Sequence, residues 1–161
     1  MTKPQSPFQL SVKTITIEYD ATITAGDKLN SPIVAAAYIV GWNRANNHPP
    51  DQECFSVFGL DNVHRLISAE TLTKGTLDQA PVDPRRLFRH LIAVGAVGFI
   101  ISHNHPSGDT VPSRADEELT KRLYKAGQLV GIALQDHIVT EPGGTWRALR
   151  ATNPELWERI L

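Results

Sequence analysis

The sequence predicts a single layered α/β domain, a mixed β-sheet covered by helices, and three observations carry that expectation. Helix-start signals alternate along the chain with short strand-like runs, the order that packs helices on a sheet. VGFIIS at 97–102 is a nearly unbroken apolar run of the kind that central strands covered on both faces show. With 161 residues, 41% hydrophobic and 20% charged, the chain has the size and composition of one globular domain. We divide it into an N-terminal strand or extension at 1–29, a main domain at 30–150 and a short C-terminal helix at 151–161.

The elements follow in order. Leu10, Val12, Thr14 and Thr16 alternate with Ser11, Lys13, Ile15 and Ile17, which suggests a first strand. Ser31 followed by Pro32 supplies a cap and a first-turn proline for a helix through IVAAAYIVGW, ending before His48-Pro49-Pro50. ECFSVFGL (53–60) and HRLISAETL (64–72), separated by Asp61-Asn62-Val63, read as a hairpin. Asp83-Pro84 opens a helix with Leu87, Leu91 and Val94 on one face. After the 97–102 strand, Ser113 starts a helix running to about Gln128, with Leu119, Leu123 and Ala126 as its apolar stripe and Gly127 or Gly131 as its stop. GIALQDHIV (131–139) is a further strand, Pro142-Gly143-Gly144 a turn, TWRAL a segment that pairs back, and Asn153-Pro154 the start of a terminal helix, PELWERIL.

Composition also narrows the class of function. No apolar stretch approaches the ~20 residues of a membrane span, and the N-terminus lacks a basic-then-apolar signal pattern, so a cytoplasmic protein is expected. The single Cys54 cannot form an internal disulfide. A formal net charge of -1 without a Lys/Arg cluster gives no support for direct nucleic-acid binding.

The stretch SHNHPSGDTVPSRAD, 102–116, begins where the apolar strand ends. In extended backbone, residues i and i+2 point to one side about 7 Å apart, so His103 and His105 can reach a common point while Asn104 faces away. Asp116 lies three residues before Leu119 and seven before Leu123, on the apolar stripe and facing the core. An unpaired carboxylate in that position costs several kcal/mol, so Asp116 needs a cation or several hydrogen bonds. Ser113-x-x-Asp116 is also a capping-box-like pattern in which both side chains serve backbone donors. Two imidazoles and one carboxylate are ligand types that zinc takes in open, catalytic sites.

The series His103-x-His105-Pro106 with Ser113-x-x-Asp116 resembles the metal-binding signature of the JAB/JAMM (MPN+) metalloprotease superfamily, and HNHPSGDTVPSRAD with TKRLYKAG and DHIV resembles its RadC branch. The likeness covers about 30–140 and looks like the short form that lacks an N-terminal helix-hairpin-helix region. The resemblance implies the superfamily's cytidine-deaminase-like α/β architecture. It implies zinc held by His103, His105 and Asp116, with Ser113 polarising the scissile carbonyl and stabilising the developing oxyanion. It also implies a glutamate base on an earlier strand, assigned to Glu53, with Glu70 on the partner strand as the competing candidate. The implied activity is hydrolysis of peptide or isopeptide bonds in a peptide or protein substrate. Asn104 stands where eukaryotic deubiquitinating relatives have serine, which argues against ubiquitin as that substrate. The alternative is a non-catalytic metal-binding or interaction module working with DNA-repair proteins.

Other residues take plainer readings. HNH nucleases spread the letters of His103-Asn104-His105 over a longer finger-like motif, so a nuclease reading is poor. Asp136-His137 is either a pair orienting a ligand or a satisfied strand-end pair. Ser107, Gly108 and Asp109 shape the loop, with Asp109 a candidate substrate contact; Cys54 is a core residue, and His48, His64 and His90 are surface or packing residues.

Overall fold

The computed structural model describes residues 27–75 and 82–158. The expected strand at 10–17, with most of the 1–29 extension, lies outside the described residues. Helix α1 (Pro32–Ala45) begins as expected: the Ser31 hydroxyl accepts from the Val34 N–H at 3.3 Å, and Pro32 occupies the first turn. Strands β1 (Cys54–Leu60) and β2 (Leu66–Lys74) form the antiparallel hairpin, with the second strand starting and ending two residues later than expected. Helix α2 (Pro84–Ala93) is capped by Asp83 and buries Leu87, Phe88 and Leu91. Strand β3 (Gly98–Asn104) is buried at every position, as the apolar run requires, and it carries His103 at its end.

Helix α3 (Arg114–Val130) runs from the Ser113 cap to Gly131, whose φ of 76° gives the left-handed turn that ends it. Gly127 is therefore not the stop. It lies inside the helix under strand-entry backbone, where an added Cβ would collide with the Ile132 carbonyl oxygen. The buried stripe also sits one residue round from the expected one: Asp116, Thr120, Leu123 and Gly127 face the core while Leu119 and Ala126 are partly buried beside it. Gly127, with no side chain, is the position on that face that allows the close approach of Ile132. Gly127→Ala should lower stability by roughly 1–3 kcal/mol through overpacking, despite alanine's better helix propensity; a thermal melt checks it, and an unchanged or raised Tm would contradict the contact.

Strand β4 (Ala133–Thr140) returns parallel to β3, and β5 (Trp146–Ala148) pairs back on it antiparallel. A one-turn helix α4 (Leu149–Thr152) and a 3-10 turn (Pro154–Trp157) follow. The terminal helix starts at Pro154 as expected but, as far as the described residues extend, takes the tighter 3-10 form. The five strands form one mixed sheet in the order β2-β1-β3-β4-β5. Phe55, Val57, Phe99, Ile101 and Leu134 pack on one face against Leu87, Leu91 and Leu123 of α2 and α3. Phe58, Leu60, Ile100 and Ile138 pack on the other against Ala35, Ala36, Ile39 and Trp42 of α1. Each fully buried side chain of this size is worth roughly 1.5–3 kcal/mol, so both layers are well anchored. No helix among the described residues is long and apolar enough to cross a membrane.

Candidate metal centre

The end of β3 and the start of α3 bring three sequence-predicted ligands together. His103, His105 and Asp116 each offer one ligand atom, and these atoms lie within 4.8 Å of one another. His103 Nε2 is 2.8 Å from His105 Nε2 and 3.2 Å from Asp116 Oδ1, and His105 Nε2 is 3.5 Å from Asp116 Oδ2. Ligands at zinc-like bond lengths in a tetrahedral arrangement lie about 3.3 Å apart, so the triangle has the right size for one such ion. Asp116 Oδ1 is buried and accepts no hydrogen bond, and it lies beside His103 Nε2. The donor set and its geometry therefore fit a metal ion.

Both readings of Ser113 and Asp116 are realised at once. The Ser113 hydroxyl accepts from the Asp116 N–H at 3.2 Å, while the Ser113 N–H and hydroxyl both donate to Asp116 Oδ2 at 2.7 Å. The capping box uses Oδ2, which His105 also approaches, and leaves Oδ1 without a hydrogen bond beside His103. Burial raises the Asp116 pKa, but the adjacent His103 and His105 rings outweigh it and hold the carboxyl far below the usual range. His105 is shifted upward, first by its contact with the Asp116 carboxylate against the opposing effect of burial, with smaller contributions from the Asp109 carbonyl and the charges of Asp116 and Glu53.

Glu53 lies just before β1, close enough to His105 for its charge to be felt there, with one carboxylate oxygen shielded from solvent. Its backbone is fixed by a residue whose role the sequence did not reveal. Asn104, pointing to the sheet face opposite His103, accepts from the Cys54 N–H at 2.8 Å and donates to the Gln52 carbonyl at 2.9 Å. The peptide groups on both sides of Glu53 are thereby clamped, and the Glu53 carbonyl accepts from Gly75 N–H at 2.8 Å. Glu70 sits elsewhere, on β2, held by Arg86 at 2.9 Å and His90 at 2.8 Å. That pairing keeps it out of the cluster.

His137 on β4 is the second residue whose role was only half visible. Its ring is wholly buried, lies 2.8 Å from His103 Nδ1 through Nε2, and meets the Thr120 hydroxyl at 2.6 Å through Nδ1. Burial, followed by the charge of His103, pushes its pKa well down. Phe55 stacks on His103 with an interplanar angle of 12° and meets His137 edge-on at 67°, bracing both rings from β1. Asp136 plays no part in that bracing. Its Oδ1 accepts from the backbone N–H groups of His137 and Arg150, fixing β4 to α4.

Internal hydrogen bonds hold the loop. His105 Nδ1 donates to the Asp109 carbonyl at 2.6 Å, Asp109 Oδ1 accepts from Val111 N–H, and Gly108 takes a φ of 84°. Cys54 is buried with its thiol pushed up by desolvation, His48 meets Thr71 at 3.0 Å, His90 meets Ser68 at 3.0 Å, and His64 is an exposed turn residue. A cleft of about 120 Å³ lined by Asn43, Arg44, His48, Asn104, Thr140 and Glu141 opens beside the same strand ends.

Residues 29–153 match the family described as the RadC-like JAB domain. A UPF0758 protein of Nitrosococcus oceani is 43% identical over 124 residues, which is 77% of this chain and 54% of that protein. A UPF0758 protein of Finegoldia magna is 51% identical over 89 residues, 55% of this chain and 40% of that protein. One from Xylella fastidiosa is 41% identical over 123 residues, 76% of this chain and 53% of that protein. The chain spans about half the length of these curated relatives.

Proposed function

Because the chain belongs to the RadC-like JAB domain family, we propose that it is a zinc-dependent hydrolase of peptide or isopeptide bonds. The observation that carries this reading is the grouping of His103, His105 and Asp116, whose ligand atoms lie within 4.8 Å of one another. Two imidazoles and one carboxylate form the three-ligand set that zinc uses when a position is kept open for water or substrate. Bound there, zinc supplies Lewis acidity, making water a nucleophile near neutral pH and polarising a carbonyl.

The rest falls to the side chains. Glu53, held beside His105 by its clamped backbone, takes the proton of the attacking water and returns it to the leaving nitrogen. Ser113 stands exposed at the start of α3 and donates to the developing oxyanion once its hydroxyl turns from Asp116 Oδ2. Two N–H groups at the same helix start, those of Ser113 and Asp116, keep the cap closed while this happens.

The alternative, a metal-binding or interaction module serving DNA-repair proteins, draws support from the same serine, whose hydroxyl is engaged by Asp116 in the structure. Metal analysis of the purified protein, with peptide and isopeptide cleavage assayed before and after chelation, separates the two. The hydrolase reading expects about one zinc per chain and chelator-sensitive cleavage that zinc restores. Stoichiometric zinc with no cleavage of either bond type would favour the module.

A further inference from the structure

A histidine binds metal through a nitrogen that carries no proton, so which nitrogen of His103 is protonated decides whether it can serve. The hydrogen bonds behind it settle that, read from the one end whose direction is fixed. The Asp116 backbone carbonyl can only accept, so the Thr120 hydroxyl, 2.6 Å away, donates its single proton to it. Thr120 Oγ1 is then an acceptor towards His137 Nδ1 at 2.6 Å, and that nitrogen carries a proton.

His137 is fully buried, and the carboxylate beside it in sequence, Asp136, bonds its backbone N–H instead of its ring. A buried imidazolium without a bonded counter-charge is costly, so the ring is neutral and its Nε2 bare. Nε2 accepts from His103 Nδ1–H at 2.8 Å. Metal binding takes the neutral ring, whose one proton is thereby committed on the inner side, leaving the Nε2 lone pair facing His105 and Asp116.

We propose that Thr120 and His137 are positioning residues forming a relay that fixes the tautomer and ring orientation of His103 for metal binding through Nε2. The relay starts on the backbone of Asp116 and ends on His103, so it joins a ligand from α3 to a ligand from β3 by way of β4. His105 is set separately, its Nδ1–H being given to the Asp109 carbonyl. The inference rests on the metal-site reading above, and it is tested by readouts that do not require turnover.

Long-range proton–nitrogen correlation spectra of the metal-free, 15N-labelled protein at alkaline pH should show His103 and His137 as Nδ1–H tautomers. Zinc affinity, measured by competition with a chromogenic chelator, should fall about 10–100-fold in Thr120→Val, the usual effect of losing a residue that orients a ligand. Thr120→Ser, which keeps the hydroxyl, should recover affinity to within about threefold of the parent. A loss of packing alone would leave the His103 tautomer unchanged in Thr120→Val, whereas the relay requires its signals to shift. His103 found as the Nε2–H tautomer, or parental affinity in Thr120→Val, would overturn the relay with the metal centre intact. Failure of the parent protein to bind zinc would instead sink the metal centre, and the relay as a metal-positioning device with it.

Discussion

Zinc affinity of Asp116→Asn is expected to fall by more than about 100-fold, with hydrolysis lost in step. The lower bound follows from a comparison of roles: removing a residue that merely orients a ligand usually costs about 10–100-fold, and a ligand must cost more. Asp116 Oδ1 faces His103 Nε2 at 3.2 Å and accepts no hydrogen bond, so this oxygen is open to a metal ion while Oδ2 serves the helix cap. The substituted amide is a neutral and weaker metal donor, yet its oxygen can still accept from the Ser113 N–H that now bonds Oδ2. The helix cap should therefore persist, and circular dichroism should show a folded protein. Equilibrium dialysis with metal analysis gives the result, and near-parental zinc content in a folded Asp116→Asn protein would remove the carboxylate from the ligand set.

Glu53→Gln should do the opposite to metal and as much to activity. The substitution keeps shape and removes the group that can take up a proton, for which a loss of about 10²–10⁴ in kcat is expected. Zinc content should stay at the parental level because Glu53 is not among the three grouped ligands. The fold should hold too, since Asn104 and Gly75 bind backbone groups around Glu53 and do not depend on its carboxylate. Steady-state kinetics beside metal analysis makes the test. A kcat within about tenfold of the parent would remove Glu53 as the base, and Glu70, tied to Arg86 and His90, would be a poor replacement.

Much of the architecture could be read directly from local chemistry. Ser31-Pro32 and Asp83-Pro84 are start signals that act within one turn, and both helices begin there. The apolar run before His103 needs no partner to be recognised, and it forms the central strand. Periodicity alone puts Asp116 on the inward face, and it is 1% exposed. What stayed hidden depends on contacts between distant segments. Gly127 looks like a helix stop until Ile132 is folded over it. Thr120 looks like a polar surface residue until β4 brings His137 against it. Asn104 was expected to face away from its neighbours' target, and it does, but only the antiparallel pairing of β1 with β3 reveals that it grips Gln52 and Cys54.

That grip determines which parts of the centre can separate. The two histidines leave from β3, and the same strand, through the carboxamide between them, holds the peptide on either side of Glu53. Three of the five groups given roles, His103, His105 and Glu53, thus sit at the ends of one pair of hydrogen-bonded strands, while Asp116 and its capping partner Ser113 arrive with a helix. Any breathing of α3 against the sheet would pull the carboxylate away and, through Thr120, loosen the hydrogen bonds behind His103, while Glu53 stays held to the strand ends. Metal release should accordingly follow the mobility of one helix end, and amide exchange slowing there on zinc addition would be its trace.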